Sequence, residues 1–247
     1  MSTSSSRWIE LGQPSYVWRF GQDRRLNLVR KHVPLENARI LDVGCGIGTY
    51  VKRFRQFSGD VHGVDVDPER VAQASQDLPN IRLAAAENLP YADGSFDLVF
   101  LHEVIEHAVD DRRAIAEAVR VADVDGYIVV YAPNRLYPFE THGIYLGKRY
   151  VFRLVPFVNY LPDLLRRRFC PHVRAYTARQ LRGLFAGLPA RIVEHTYVYP
   201  GFDNIVARHP ALGHSLRTVF YTLEQTPLRC FGLSHFVVAR VEGKSAR

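Results

Sequence analysis

The stretch Ile40-Leu41-Asp42-Val43-Gly44-Cys45-Gly46-Ile47-Gly48-Thr49 constrains the fold of this chain more than any other. An apolar run interrupted by one acid reads as a short buried strand, and the glycines that follow allow a tight turn. Such a turn lets the backbone come within contact distance of a ligand. The helix that should follow points its first N–H groups at any carboxylate or phosphate placed there. Strand, glycine turn and helix in that order form a nucleotide-type cradle, which is a device of parallel α/β sheets.

The rest of the chain supplies such a sheet. Strand-like runs fall at 39–43, 61–64, 81–84, 96–101, 127–131, 190–197 and 234–241. Helical patterns fall between them at 50–56, 68–76, 104–106 with 110–121, and 178–186, with further helices at 23–32 and 207–223. Alternation of this kind implies right-handed crossovers between parallel strands. Continuous apolar runs such as Leu98-Val99-Phe100-Leu101 suit strands covered on both faces. With 247 residues, 47% of them apolar, the chain can fill one large α/β domain. The expected division is an N-terminal tail and helices at 1–38 and a main domain at 39–247. Within that domain, 134–177 and 200–232 are expected as substrate-side or lid insertions.

Composition excludes several classes. No run of eighteen apolar residues occurs, and Met1-Ser2-Thr3-Ser4-Ser5-Ser6 has no basic-then-apolar leader pattern, so a cytoplasmic protein without a spanning helix is expected. Cys45, Cys170 and Cys230 are odd in number, far apart and without C-x-x-C spacing, so they suggest neither a disulfide framework nor a zinc site. The net charge of +7 permits an acidic partner without requiring one. Trp8, Leu11, Tyr16, Trp18 and Phe20 place unusual aromatic weight ahead of the first strand. They should pack the N-terminal helix onto the sheet, or form a lid that brings Tyr16 and Arg24 or Arg25 to the ligand.

The spacing of the cradle narrows its ligand. A dinucleotide fingerprint is G-x-G-x-x-G, whereas here the third glycine arrives one residue early and Asp42 replaces an apolar residue, which favours S-adenosylmethionine over a nicotinamide dinucleotide. Asp65, about twenty residues beyond the turn, is placed to accept from both ribose hydroxyls. Asp67-Pro68 reads instead as an N-cap with proline at the first helical position. After the fourth strand, His102-Glu103-Val104-Ile105-Glu106-His107 should face the reacting centre, where an imidazole or carboxylate could take or steer a proton. The loop after the fifth strand offers Asn134, Tyr137, Glu140 and His142 on the substrate side, with His142 a second candidate base. The basic and aromatic segment 148–169 is expected as a pair of short helices covering the site, with contact to an anionic membrane surface or to nucleic acid as other readings.

The motifs Leu41-Asp42-Val43-Gly44-Cys45-Gly46 and Ala86-Glu87-Asn88-Leu89-Pro90-Tyr91-Ala92-Asp93-Gly94-Ser95-Phe96-Asp97 together resemble the class I S-adenosylmethionine-dependent methyltransferases, specifically the type 11 group. The resemblance covers roughly 40–133. It implies a Rossmann-like three-layer fold with sheet order 3-2-1-4-5-7-6 and an antiparallel last strand. It also implies that Ala86 and Glu87 lie along the adenine, with Ala85 standing where the family carries an acid. The expected cofactor contacts are Tyr16, Arg24, Asp42, Gly44, Cys45, Gly46, Asp65, Val66, Ala86, Glu87, Asn88, Leu101 and His102. The expected catalytic candidates are His102, Glu106, His107 and His142, and the substrate candidates are Asn134, Tyr137 and Glu140.

Glu103, Glu106 and His107 also resemble an E-x-x-E-H set that some quinone-biosynthesis O-methyltransferases use around a divalent cation. The favoured reading is that Glu106 and His107 shape the acceptor pocket, with no metal. The implied reaction is methyl transfer from S-adenosylmethionine to an oxygen or nitrogen of a small-molecule or lipid- or glycan-linked acceptor, giving S-adenosylhomocysteine. A peripheral membrane contact is a further expectation, and nucleic acid is disfavoured as a partner. Three alternatives stand beside this reading: a nicotinamide-dependent oxidoreductase, a non-catalytic cofactor-binding protein and an RNA methyltransferase.

Overall fold

The computed structural model describes residues 18–243. Helix α1 (Phe20–His32) precedes a core of β1 (Ile40–Val43), α2 (Thr49–Phe54), β2 (Val61–Asp65), α3 (Pro68–Ala74), β3 (Ile81–Leu83), β4 (Phe96–His102), α4 (Asp111–Val121) and β5 (Ala122–Pro133). The sheet is completed by β10 (Ala190–Val198) and β11 (Ser234–Val241), in the order β3-β2-β1-β4-β5-β11-β10. Pairing is parallel from β3 to β5, and β11 lies antiparallel between β5 and β10. This is the sheet order expected from the sequence.

Side-chain alternation along the strands builds a core on each face. Leu41, Val43, Val99, Leu101 and Val130 pack with Ile115 and Ala118 of α4 on one side. Ile40, Leu98, Phe100, Val129 and Phe236 pack with Leu26 and Val29 of α1 and with Val51 and Phe54 of α2 on the other. Helix α1 carries Asp23 in its first turn and Arg30, Lys31 and His32 in its last, matching the helix dipole. Trp18 meets the Tyr50 ring of α2 edge-on at 5.0 Å, whereas Phe20 is exposed and stacks on Tyr221 at 6.4 Å, so it is Leu26 and Val29 rather than the aromatic residues that pack α1 onto the sheet. The other N-terminal candidates, Ser2 to Ser6, Trp8, Leu11 and Tyr16, lie outside the described residues.

Two elements depart from expectation in detail. Strand β5 begins at Ala122, directly off α4, and absorbs a left-handed residue, Asp125 (φ 64°), and a register shift opposite β4 before the apolar run begins. The segment after β5 begins extended, and its basic part, 148–169, ends in two short helical pieces, a 3-10 turn at Val158–Tyr160 and an α-helix. It contains the two-residue ladder of β6 (Phe139–Glu140) with β9 (Val155–Pro156) and the hairpin of β7 (Ile144–Leu146) with β8 (Arg149–Val151). The α-helix is α5 (Asp163–Phe169). Gly147 turns the hairpin at φ 64°, and Pro156 and Pro162 lack the N–H groups a longer helix would need. A small core of Ile144, Val158, Cys170 and Val173 holds this segment together. Beyond it come α6 (Ala178–Gly183), α7 (Asp203–Arg208) and α8 (Pro210–Leu223). Among the described residues, no helix is long and apolar enough to cross a membrane.

Candidate active site

At the end of β1 the chain turns through Gly44, Gly46 and Gly48, all left-handed (φ 72°, 55° and 81°). At two of them space as well as backbone demands glycine. A Cβ on Gly44 would stand 2.4 Å from Val104 Cγ2, and one on Gly48 2.2 Å from Leu78 Cδ1. The N–H groups of Gly44 and Cys45 donate to the Val64 carbonyl at 2.8 and 2.9 Å, hooking the turn onto the end of β2. Gly46 N–H donates to Asp65 Oδ2 at 2.8 Å, while Asp67 N–H donates to Oδ1 at 2.9 Å. Asp65 is thus oriented by two amides and keeps lone pairs for incoming hydroxyls. Asp67 accepts from Glu69 and Arg70 N–H and caps α3, the division of labour read from the sequence.

The cradle favours a cationic ligand. Asp42 is buried at its base, and burial together with the neighbouring Asp65 charge pushes its carboxyl well above the usual range. The Tyr50 hydroxyl is buried there without a hydrogen-bond partner among the described residues, within the influence of Arg25, Asp42 and Glu103. An ammonium or sulfonium placed against Asp42 would relieve the first, and a polar cofactor tail would satisfy the second. These residues fit S-adenosylmethionine. Val66 is exposed at the end of β2, Cys45 is buried under the turn, and Ala86 and Asn88 sit on the loop after β3.

Several candidates take other work. Glu87 Oε1 accepts from the N–H groups of Val109 and Asp110 at 2.7 and 3.3 Å, tying its loop to the start of α4. The Leu101 side chain is wholly in the core. Arg24 pairs with Glu224 and lies 3.9 Å over the Tyr221 ring. Adjacent helical residues point about 100° apart, so only Arg25 of the pair reaches the site. Its Nη1 is 3.3 Å from His102 Nε2, and its Nη2 donates to Ser234 Oγ at 3.2 Å.

The segment after β4 is built in layers. His102 packs against Tyr50, Phe100 and Tyr131, and burial, reinforced by the Arg25 charge, lowers its pKa to about 3. It is a neutral hydrogen-bond acceptor rather than a base poised for proton transfer. Glu103 is left-handed (φ 56°), and its Oε1 accepts from Ser234 Oγ at 2.6 Å. Burial opposes its charge, but the Arg25 guanidinium and the Ser234 hydrogen bond hold its carboxyl below the usual range. Glu106 is 1% exposed, with neither carboxylate oxygen partnered among the described residues, and burial and the Glu103 charge push its pKa well up.

His107 is exposed, with Nδ1 3.2 Å from the His172 carbonyl; burial of its ring atoms and then His142 lower its pKa. The inserted loop brings His142 to within 5.5 Å of His107, ring to ring. Glu106, His107 and His142 each offer one ligand-type atom, and these lie within 4.8 Å of one another. Glu140 and Asn134, by contrast, hold the loop itself. Glu140 is buried between His142 Nδ1 (3.1 Å) and Arg166 Nη2 (2.7 Å); burial opposes its charge, but His142 and Arg166 lower its pKa to about 2. The Asn134 amide donates to the Cys230 and Gly232 carbonyls, both at 2.7 Å, and accepts from Leu136 N–H at 3.0 Å. Tyr137 stays half-buried beside Phe139, and burial raises its hydroxyl to about 12. A cavity of about 720 Å³ opens beyond this cluster, lined by Glu106, His107, Arg135, Arg167, His172 and Tyr176 among others. Tyr50, His172 and Ser234 were not singled out from the sequence, where nothing local marks them.

A seven-stranded sheet with its last strand reversed, a glycine turn on β1 and an acid ending β2 define a Rossmann-like cofactor-binding protein. Residues 41–130 match the family model described as a methyltransferase domain. Over those residues the chain carries a methyltransferase domain. It is 38% identical over 110 residues to norajmaline N-methyltransferase of Rauvolfia serpentina, covering 40% of this chain and 38% of that one. It is 33% identical over 146 residues to a ubiquinone biosynthesis O-methyltransferase of Azorhizobium caulinodans, covering 57% of this chain and 55% of that one. The chain therefore spans little more than half the length of these curated relatives, or less. A solved S-adenosylmethionine-dependent methyltransferase from Mesorhizobium loti superposes with a TM-score of 0.61 at 18% identity, over 87% of this chain and 96% of that one, a likeness of fold.

Proposed function

We propose that the protein transfers the methyl group of S-adenosylmethionine to an oxygen or nitrogen of a small-molecule or lipid- or glycan-linked acceptor. The observation that carries this reading is the pairing of Asp65 with the Gly46 amide, within electrostatic reach of the buried Asp42 carboxyl. That arrangement suits ribose hydroxyls and a positive charge, and it disfavours the pyrophosphate of a nicotinamide dinucleotide. The bound cofactor supplies a methyl group on a sulfonium that is already an activated leaving group. The acceptor lone pair forms the new bond to carbon as the carbon–sulfur bond breaks, its electron pair stays on sulfur, and the acceptor's proton leaves. The chain's own task is alignment. Asp65 holds the ribose, and the His102 ring walls the site beside Tyr50. The Glu106, His107 and His142 cluster meets the acceptor, where His107 or His142 takes its proton. Relatives named as an N-methyltransferase and an O-methyltransferase agree with either acceptor atom.

The test is calorimetric titration with S-adenosylmethionine and S-adenosylhomocysteine, followed by label transfer from methyl-labelled donor to fractionated lipids, glycans and quinones. Binding with turnover in one fraction is expected. Binding with no turnover in any fraction favours a cofactor-binding protein without catalysis, and a nicotinamide dinucleotide that binds in place of S-adenosylmethionine overturns the reading. Salt-sensitive RNA affinity with methyl incorporation into RNA revives a nucleic-acid acceptor.

A peripheral contact with an anionic membrane surface is proposed alongside it. Leu154, Phe157, Leu164 and Leu165 are exposed beside Lys148, Arg149, Arg153, Arg167 and Arg168. Asp163 is the single acid in residues 144–170, and it is paired with Arg135.

A further inference from the structure

The cavity of about 720 Å³ beyond the Glu106 cluster is large enough for a small molecule, and methyl transfer itself leaves much of its lining without a task. Three parts of the chain build most of it: the loop leading from Glu106 into α4, Arg135 with α5, and the run from Cys170 to Tyr176 with Gln180 of α6. Its acids are already matched. Asp163 is paired with Arg135, and Asp111 accepts from the Tyr176 hydroxyl at 2.9 Å with Arg174 Nε 3.6 Å away. Arg166 is committed to Glu140, Asn159 and the Val173 carbonyl. Arg167, by contrast, is exposed and makes no hydrogen bond or ion pair among the described residues, although Asp163 feels its charge.

What remains is a surplus of donors. Arg135 is anchored to the Leu161 carbonyl at 2.6 Å and Arg174 to the Val109 carbonyl at 3.0 Å, and a guanidinium has five N–H groups, so each keeps some over. The Gln180 side-chain oxygen accepts from Thr177, which leaves its amide N–H groups for the cavity. Glu106 is 1% exposed with neither oxygen partnered among the described residues, and burial with the Glu103 charge keeps it neutral, so it too presents an O–H. A buried polar group without a partner marks a place where a ligand completes the hydrogen bonding. Ligand oxygens that only accept and carry negative charge match this set, and planar guanidinium forks suit phosphate above all.

We infer that the cavity binds a phosphate or diphosphate group carried by the methyl acceptor, with Arg135, Arg167 and Arg174 as its cationic contacts. That the ligand is the acceptor rests on the proposed methyl transfer, whereas the anion site stands without it. The acceptor is then a phosphorylated compound, either free in water or joined to a lipid through its phosphate. No bond to phosphorus changes. The group is a handle that fixes the acceptor while the methyl moves, and it leaves the proton-accepting nitrogens of His107 and His142 free.

Calorimetric titration of the full chain with inorganic pyrophosphate tests the site, with S-adenosylmethionine affinity measured on the same samples. One pyrophosphate per chain is expected. Arg167→Ala should weaken it by about 10-fold or more, the scale of a lost charged hydrogen bond, whereas Arg179→Ala, which removes an exposed arginine of α6 outside the cavity lining, should leave it within about twofold. Should Arg167→Ala lose cofactor affinity as well, the parent chain decides: pyrophosphate should protect Arg167 against phenylglyoxal while Arg179 stays reactive. No pyrophosphate binding by the parent, equal losses in the two variants or equal protection of the two arginines overturns the site. With methyl-labelled donor, label should enter a phosphate-bearing product, and pyrophosphate should inhibit its transfer. A water-soluble product identifies a free phosphorylated acceptor and a solvent-extracted one a lipid-linked acceptor, while a labelled product without phosphate overturns the assignment of the handle. Pyrophosphate binding by a parent chain that does not bind S-adenosylmethionine would instead count against the methyltransferase reading and leave the anion site intact.

Discussion

Asp65 accepts from the amides of Gly46 and Asp67 with one oxygen each, which makes it the best-oriented acceptor at the cradle. Asp65→Ala should weaken S-adenosylmethionine binding by about 1–3 kcal/mol, the scale for leaving polar partners unmatched; calorimetry that finds the affinity unchanged would put the ribose elsewhere. The glycines separate two costs. Gly46 has a left-handed backbone but nothing within 4 Å of a built Cβ, whereas Gly48 adds contact with Leu78 at 2.2 Å. Gly46→Ala should lose roughly 1–2 kcal/mol of stability and Gly48→Ala measurably more, as read from denaturant midpoints, and equal losses would mean that Leu78 gives way freely. These positions were readable in the sequence because glycine and aspartate act through their own backbone and nearest neighbours. Arg25 was not separable from Arg24 in that way, since one helical step decides which of them faces the site.

Between elements, the clearest device is a chain of hydrogen bonds joining α6 to β10, β11 and the segment leading into α6. Arg182 Nε donates to His195 Nδ1 at 2.9 Å, and the His195 and His235 rings meet at 3.0 Å. His235 Nε2 lies 2.8 Å from the Tyr176 carbonyl. Because the chain begins at a donor and ends at an acceptor, both imidazoles must be neutral. Burial, with His235 and Arg182 adding to it for His195, lowers each pKa to about 4. Unfolded histidine titrates near 6.5, so the unfolded state binds more protons between about 4 and 6.5, and folding stability should fall as pH falls through that window. Denaturant midpoints measured across it should show about one proton fewer taken up on unfolding in His195→Ala than in the parent, where the buried His102 adds to the same window; an unchanged uptake would break the relay. Nothing in the sequence marked these histidines, which lie 40 residues apart and meet only through strand pairing.

The molecule as a whole is a conventional sheet carrying an unusual cover. The cover was expected as two short helices over 148–169; it holds a 3-10 turn and one α-helix there, preceded by a hairpin and a two-residue ladder, and its small core of Ile144, Val158, Cys170 and Val173 draws on distant positions. That build leaves Leu164 85% exposed and Phe157 63% exposed among arginines. Vesicles containing anionic lipid should therefore bind the protein while neutral vesicles do not, with affinity falling as salt is added, at about 1 kcal/mol per basic residue near the surface. Leu164→Glu with Leu165→Glu should reduce sedimentation with vesicles; binding that is indifferent to both salt and these substitutions would sink the membrane contact.

The sequence by itself determined the sheet and the cofactor side of the site. Strand periodicity, the turn at Gly44 to Gly48 and the acids Asp42, Asp65 and Asp67 all act over a few residues, and the strand order was carried by family resemblance. Only the tertiary structure decided the acceptor side. His107 and His142 come together from different loops, Glu103 finds Ser234 across 131 residues, and Glu140 and Asn134 turn inward to hold their own segment. The physical reason is range: a turn or a cap is settled by neighbours in the chain, whereas a cluster of side chains from separate loops exists only once the sheet has brought those loops to one end.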